Sequence, residues 1–252
     1  MYRLFFMITA KLFQHRNIPM KKIRQYVYCL VIAFFFTGSV WANNFSKMPI
    51  PEITRYAEQG NLEAQLYLAS AYYEGYRVPQ SFEQAAMWNH KAAEQNSMDA
   101  QFLLGVMYSE GLGVKKDEKQ SIEWFRKAAL QGDVSAQESL ANAYYWGRGV
   151  TKDLTQAVKW YETAARNGSK EAQFEMGRLY LLGEGVKKEY WQAWSYWRNA
   201  AKQNHAKAQY GLGMLYLSGK VGADLKEAKY YFGLACKNAL VEACEQYQKL
   251  NP

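Results

Sequence analysis

Apolar and small residues return along this chain at one spacing. Ala64, Ala100, Ala136, Ala172 and Ala208 recur every 36 residues, and Ala243 follows one residue early. Four positions after each of the first five stands an apolar residue (Leu68, Leu104, Leu140, Met176, Leu212), then a tiny one (Ala69, Gly105, Ala141, Gly177, Gly213). A tyrosine comes three positions later (Tyr72, Tyr108, Tyr144, Tyr180, Tyr216). Inside one copy Ala100, Leu103, Leu104, Met107 and Tyr108 are spaced as one face of a helix. That helix stops at Gly111-Leu112-Gly113-Val114, and Gly147–Val150 and Gly183–Val186 repeat the turn. Glycine there supplies the positive φ that ends a helix without a Cβ clash.

A second helix is predicted after each turn. Ser81, Asp117, Asp153 and Asp224 stand where its N-cap belongs, and Glu189 is the poorer cap of the fourth copy. A small residue follows (Ala85, Ser121, Ala157, Ala193, Ala228), then an aromatic one (Trp88, Trp124, Trp160, Tyr196, Tyr231) and an Ala-Ala pair ending at Ala93, Ala129, Ala165 and Ala201. Asn96, Gly132, Gly168 and Asn204 close the helix in the left-handed conformation. Each unit is therefore a helix–turn–helix hairpin. A period of this length predicts an all-α solenoid whose hairpins stack on their neighbours.

The string Ala-Gln-x-x-Leu-Gly-x-x-Tyr-x-x-Gly-x-Gly-Val, followed by Asp, Ala-x-x-Trp and Ala-Ala-x-x-Gly, resembles the Sel-one-like repeat (SLR), a relative of the tetratricopeptide repeat. The resemblance covers five units, 64–99, 100–135, 136–171, 172–207 and 208–242, between a capping half-repeat at 43–63 and a capping helix at 243–252. It departs from the pattern at Arg77, which replaces the second turn glycine, and at the shortened turn from Gly219 to Asp224. The resemblance implies a right-handed superhelix with a concave groove.

The start of the chain changes the reading of its charge. Met20-Lys21-Lys22-Ile23-Arg24 is a positive n-region, Tyr26 to Phe36 an apolar run, and Val40-Trp41-Ala42 a cleavage-type sequence. Residues 1–42 are read as a secretory signal with an upstream stretch, the real start being Met20; the alternative is an uncleaved anchor. The apolar run is short for a membrane span, which needs about 20 residues. Cys29 sits early in that run, which argues against a lipoprotein. The whole chain carries 31 Lys+Arg against 23 Asp+Glu, a net +8. Six of the basic residues lie in 1–42 with no acidic one, so the remainder holds 25 against 23, or +2. Such a balance gives no electrostatic footprint for nucleic acid.

Cys236 and Cys244 remain after that cut. Cys236 takes the place of the second alanine of the Ala-Ala pair, and Cys244 that of the glutamine after the opening alanine. The equivalent pairs are Ala93 with Gln101, Ala129 with Gln137, Ala165 with Gln173 and Ala201 with Gln209. An even cysteine count in an exported chain, flanking a tight interhelical turn, reads as a disulfide; two buried thiols are the alternative. The Cys-x7-Cys spacing is similar to the bridged repeats of the Helicobacter cysteine-rich proteins, which carry a pair in every repeat.

Catalytic signals are missing. No Gly-x-Ser-x-Gly, P-loop, His-Glu-x-x-His, Ser-x-x-Lys or Lys-Thr-Gly occurs in 43–252, so no catalytic residue, metal or cofactor is assigned. His90 and His205 read as surface or packing residues, and Glu94, Asp133 and Glu171 as solvated charge at helix ends. In the tetratricopeptide relatives the first helix of each hairpin lines the concave face. Carried over by register, that gives Phe102, Val106, Glu138, Asn142, Tyr145, Trp146, Phe174, Arg178, Leu181, Tyr210 and Met214 as the binding face, with an aromatic stripe along it. The alternative is that several of these pack between helices.

These readings point to an exported, non-catalytic interaction scaffold or regulator in a Gram-negative periplasm or secreted, with a protein or peptide in its groove. An immunity protein against a periplasm-acting toxin, such as a phospholipase effector, is the second expectation. An envelope enzyme acting on peptidoglycan or β-lactams is the third.

Overall fold

The computed structural model describes residues 45–250, so the signal segment, its cleavage sequence and Cys29 lie outside the described residues. Twelve helices lie within them. They are α1 (Ile50–Glu58), α2 (Leu62–Glu74), α3 (Phe82–Glu94), α4 (Met98–Glu110), α5 (Glu118–Leu130), α6 (Val134–Trp146), α7 (Leu154–Arg166), α8 (Lys170–Leu182), α9 (Tyr190–Lys202), α10 (Ala206–Leu217), α11 (Leu225–Lys237) and α12 (Val241–Lys249). Helices α2 to α11 form five hairpins, and each helix packs chiefly on its neighbours in sequence. The result is an all-α repeat solenoid, flanked by α1 and α12.

Each hairpin starts two residues ahead of its opening alanine, because that alanine is the third helical residue and not the first. Its amide is one of the orphan donors of a helix start. Asn61, Ser97, Asp133, Ser169 and His205 accept it through their side chains, at 2.8, 3.4, 2.6, 2.8 and 3.2 Å. Asp133 was expected in solvent; it is 7% exposed, because its carboxylate is the cap of α6. The second helices follow the predicted caps: Ser81, Asp117, Asp153 and Asp224 each accept an amide, and Glu189 accepts none.

The second turn glycine has a specific use. A Cβ on Gly113 would lie 2.0 Å from the Phe82 carbonyl oxygen, and on Gly149 2.4 Å from that of Glu118, so the turn touches the preceding hairpin backbone to backbone. Arg77 occupies this position in the first unit at φ 62°. Its guanidinium donates to the Phe45 and Ser46 carbonyls at 2.9 and 3.0 Å, to the Met48 carbonyl and to the Tyr67 hydroxyl. The departure from the repeat is thus a side-chain lock on the segment that precedes α1.

The joint between hairpins is made by a buried glutamine. Gln65, Gln101, Gln137, Gln173 and Gln209 donate through Nε2 to the carbonyls of Ala57, Ala93, Ala129, Ala165 and Ala201, at 2.9 to 3.2 Å and a separation of 8 residues. Their Oε1 atoms accept from Gln95, Gln131, Asn167, Gln203 and Asn238, the C-caps of the second helices. Cys236 and Cys244 have the same separation of 8 and are bonded, with Cα atoms 4.7 Å apart. A covalent bridge therefore stands where a sixth glutamine clamp would be. Between them Ala239 holds the left-handed corner at φ 65° without a glycine.

A further ring recurs in the second helices. Phe125, Trp197 and Phe232 lie under Gly105, Gly177 and Gly213, where an added Cβ would come within 2.4, 2.3 and 2.7 Å of the ring. The tiny residue of the repeat exists to admit this ring, a partner the sequence pattern had not identified.

Two outcomes follow for stability. Glu189→Asp shares backbone geometry with Asp153 and should add about 1 kcal/mol, read as a higher urea midpoint. Cys236→Ala with Cys244→Ala should lose about 2.5 kcal/mol, while Cys236→Ala with Cys244→Gln restores the clamp of the other units and recovers about 1 of it.

Candidate partner-binding groove

The first helices α4, α6, α8 and α10 carry the face assigned to a partner, and the structure sorts those residues into three groups. Some are scaffold. Val106 is 4% exposed and packs with Ile122, Phe125 and Leu140, so it offers a partner almost no surface. Leu181 is partly buried against Trp197, Leu212 and Leu215. Phe102 and Tyr210 rest on Phe125 and Phe232 with ring centroids 5.7 and 5.5 Å apart. Phe174 is stacked between Trp197 at 6.2 Å and His205 at 4.7 Å. The expected aromatic stripe is therefore partly interhelical packing: most of its rings lie down on second-helix rings because the glycine beneath leaves them that space.

A second group forms a charged cluster at the end of α6. Tyr145 is 8% exposed, and its hydroxyl donates to Glu184 Oε2 at 2.7 Å. Arg178 sits 4.9 Å over the Tyr145 ring and pairs with Glu175 at 2.7 Å and Glu184 at 3.1 Å. The Tyr145 hydrogen bond is the main reason that the Glu184 carboxyl titrates below its ordinary value. Trp146, 60% exposed, stands edge-on to Tyr145 at 4.7 Å. Met214 is also exposed, two hairpins away on α10. Trp146 is the large apolar side chain this face presents most openly.

The third group shares a pocket. Glu138, Asn142 and Phe174 line a depression of about 470 Å³ together with Tyr161, Glu171, Ala172, Glu175, His205, Ala206 and Lys207. Tyr161 donates to Asn142 Oδ1 at 2.7 Å, and the Ser169 hydroxyl donates to Glu138. Burial pushes the Glu138 carboxyl up; the Ser169 bond opposes this, and Glu171 and Asp133 add to it. Burial also raises Tyr161, with Glu175 next in effect. His205 is both the cap of α10 and a wall of the pocket, and burial lowers its pKa. Sequence reasoning missed Tyr161, Glu175, His205 and Lys207. Tyr161 had a signal in it, since it falls in period with Phe125 and Trp197. Among the described residues no group of His, Cys, Asp and Glu is placed to hold a metal ion, and no helix is long and apolar enough to cross a membrane.

The Sel1 repeat family model matches residues 62–97, 99–133, 134–169, 170–205 and 206–240, the five hairpins. The chain belongs to the Sel1 repeat family. No curated protein sequence matches it. Among solved structures it is similar to a protective antigen of uropathogenic Escherichia coli displaying an SLR fold, at 31% identity and a TM-score of 0.76, over 92% of this chain and 51% of that one. It thus spans about half of that relative's length. A Sel1 repeat protein from Oxalobacter formigenes is 34% identical with a TM-score of 0.66, over 79% of this chain and 88% of that one. Helicobacter pylori cysteine rich protein B is 30% identical, over 54% of this chain and 96% of that one, with a TM-score of 0.39. The Sel1 fold is a protein-interaction scaffold, and its members are generally non-catalytic.

The sorting is testable by stability. Val106→Ala removes buried methyl groups and should cost about 1.5–3 kcal/mol in urea unfolding, whereas Trp146→Ala should cost less than about 0.5. His205 accepts the Ala208 amide through Nδ1, so its proton lies on Nε2 and the ring is neutral. Its folded pKa is below the ordinary 6.5, so the unfolded chain binds the proton more tightly and stability is lost as pH falls through that value. His205→Asn keeps a capping side chain and removes this loss. The drop in Tm between about pH 7.5 and 5.5 should be smaller in the variant.

Proposed function

We propose that this protein is an exported, non-catalytic scaffold of a Gram-negative envelope, periplasmic or secreted, which holds a protein or peptide partner on its first-helix face. The observation that carries the reading is the contrast between positions on one helix. Glutamine, opening alanine and turn tyrosine keep their roles from unit to unit, while the groove positions change: Phe102, Glu138, Phe174 and Tyr210 occupy the same register. A surface that differs at each step is suited to one particular ligand, and Trp146, Tyr145 and Arg178 are the residue types that anchor interfaces. The Cys236–Cys244 bridge supports an oxidising compartment, because such bonds persist outside the reducing cytosol. The predicted signal segment supports the same compartment.

The test is capture from envelope extract with the purified protein, with Trp146→Ala/Phe174→Ala as control and its folding checked by circular dichroism. Partners held by the native protein should be lost by the variant. A variant that keeps every partner would overturn the groove assignment. A captured cell-wall enzyme or sensor makes the protein a regulator, and a captured toxin makes it an immunity protein. Turnover of a chromogenic penicillin would instead support the enzyme reading.

A further inference from the structure

Unit three breaks the packing that units two, four and five share on the groove side; unit one has neither ring, with Leu66 and Asn89 at the two positions. In α4, α8 and α10 an aromatic residue, Phe102, Phe174 or Tyr210, covers the second-helix ring of its own hairpin, Phe125, Trp197 or Phe232. In α6 the same register is Glu138, and the ring beneath is Tyr161, 2% exposed, with its hydroxyl turned to Asn142. The covering ring is missing, and the depression of about 470 Å³ lies where it would be, extending between α6, α8 and the start of α10.

Its lining is unequal in charge. Glu138, Glu171 and Glu175 contribute three carboxylates and Lys207 one ammonium, while His205 is neutral. Arg178, outside the lining, pairs with Glu175 and leaves Glu138 and Glu171 without a cation among the ion pairs of the described residues. Asp133, the cap of α6, adds a further negative charge near Glu138. An apolar guest would strip water from Glu138 and supply nothing in return, which is costly for a carboxylate. A cationic guest reverses that balance, and the partly exposed Phe174 ring offers an apolar edge to the stem of a long side chain.

We propose that this pocket seats a basic side chain, lysine or arginine, of the partner segment bound in the groove, its stem against Phe174 and its head at Glu138 and Glu171. The proposal rests on the groove reading and names the chemistry of its occupant. Unit three, by lacking the covering ring of units two, four and five, supplies the specificity of the face.

The test uses N-acetyl-arginine amide and N-acetyl-lysine amide as probes, with N-acetyl-norleucine amide and matched potassium chloride as controls. Each is titrated into the purified chain and followed by amide NMR shifts. The cationic probes should give saturable shifts at Glu138, Asn142, Phe174 and His205–Lys207, with dissociation constants of about millimolar. Glu138→Gln/Glu171→Gln, which keeps shape and the Ser169 contact, should weaken them at least about fivefold, equivalent to about 1 kcal/mol. Glu138→Phe installs the ring of units two, four and five and should abolish them while the chain stays folded, as its own spectrum shows. Equal binding of the norleucine probe, equal shifts with potassium chloride, no saturable shift, or unchanged binding in the Gln variant would each overturn the proposal. The envelope capture separates the two readings. Partners kept by Glu138→Phe but lost by Trp146→Ala/Phe174→Ala leave the groove standing and remove the basic anchor.

Discussion

The joint between one hairpin and the next depends on a single buried amide. A glutamine one residue past the opening alanine donates to an alanine carbonyl eight residues earlier, on the preceding helix, and accepts from the C-cap of the helix that follows it in its own hairpin. Both of its polar ends are thereby satisfied where water has no access, which a buried amide requires. Two alanines on either side, Ala92 and Ala100 in the first full joint, are fully buried, so no larger side chain holds the helices apart. At five joints this contact spans the corner that Gly60, Asn96, Gly132, Gly168 or Asn204 turns at positive φ. At the last joint the cysteine pair replaces donor and acceptor by a bond, and the corner can turn at Ala239 without glycine.

Between joints the limiting factor is space for a ring. Glycine at 105, 177 and 213 lets a second-helix aromatic reach the backbone of the first helix, and a groove-side aromatic then closes over it. This layering explains why an apparent aromatic stripe is in large part structure. Glu138 interrupts the layering that units two, four and five share, and the depression lies beside it. Arg77 shows the same logic at the other end, its side chain filling with hydrogen bonds the place where later units make a backbone contact.

Periodicity alone revealed the hairpins, the second-helix caps and the left-handed closures at Asn96, Gly132, Gly168 and Asn204, because each depends on backbone chemistry within a few residues. The same locality failed for Asp133 and His205. Their roles as first-helix caps depend on where the helix begins, and the opening alanine had been taken as that beginning. Val106 was legible as a first-helix residue but not as a buried one, nor Leu181 as a partly buried one. Register places a side chain on a face, and only the neighbouring helix decides whether that face is covered.

Sequence by itself therefore determined the family, the number of hairpins and the partners of the cysteine pair, since all three are set by spacing along one chain. Tertiary structure alone decided the clamp's two acceptors and donors, the ring layers and the pocket beside Tyr161. Those arise between different helices, where packing and desolvation, not local propensity, set the energy.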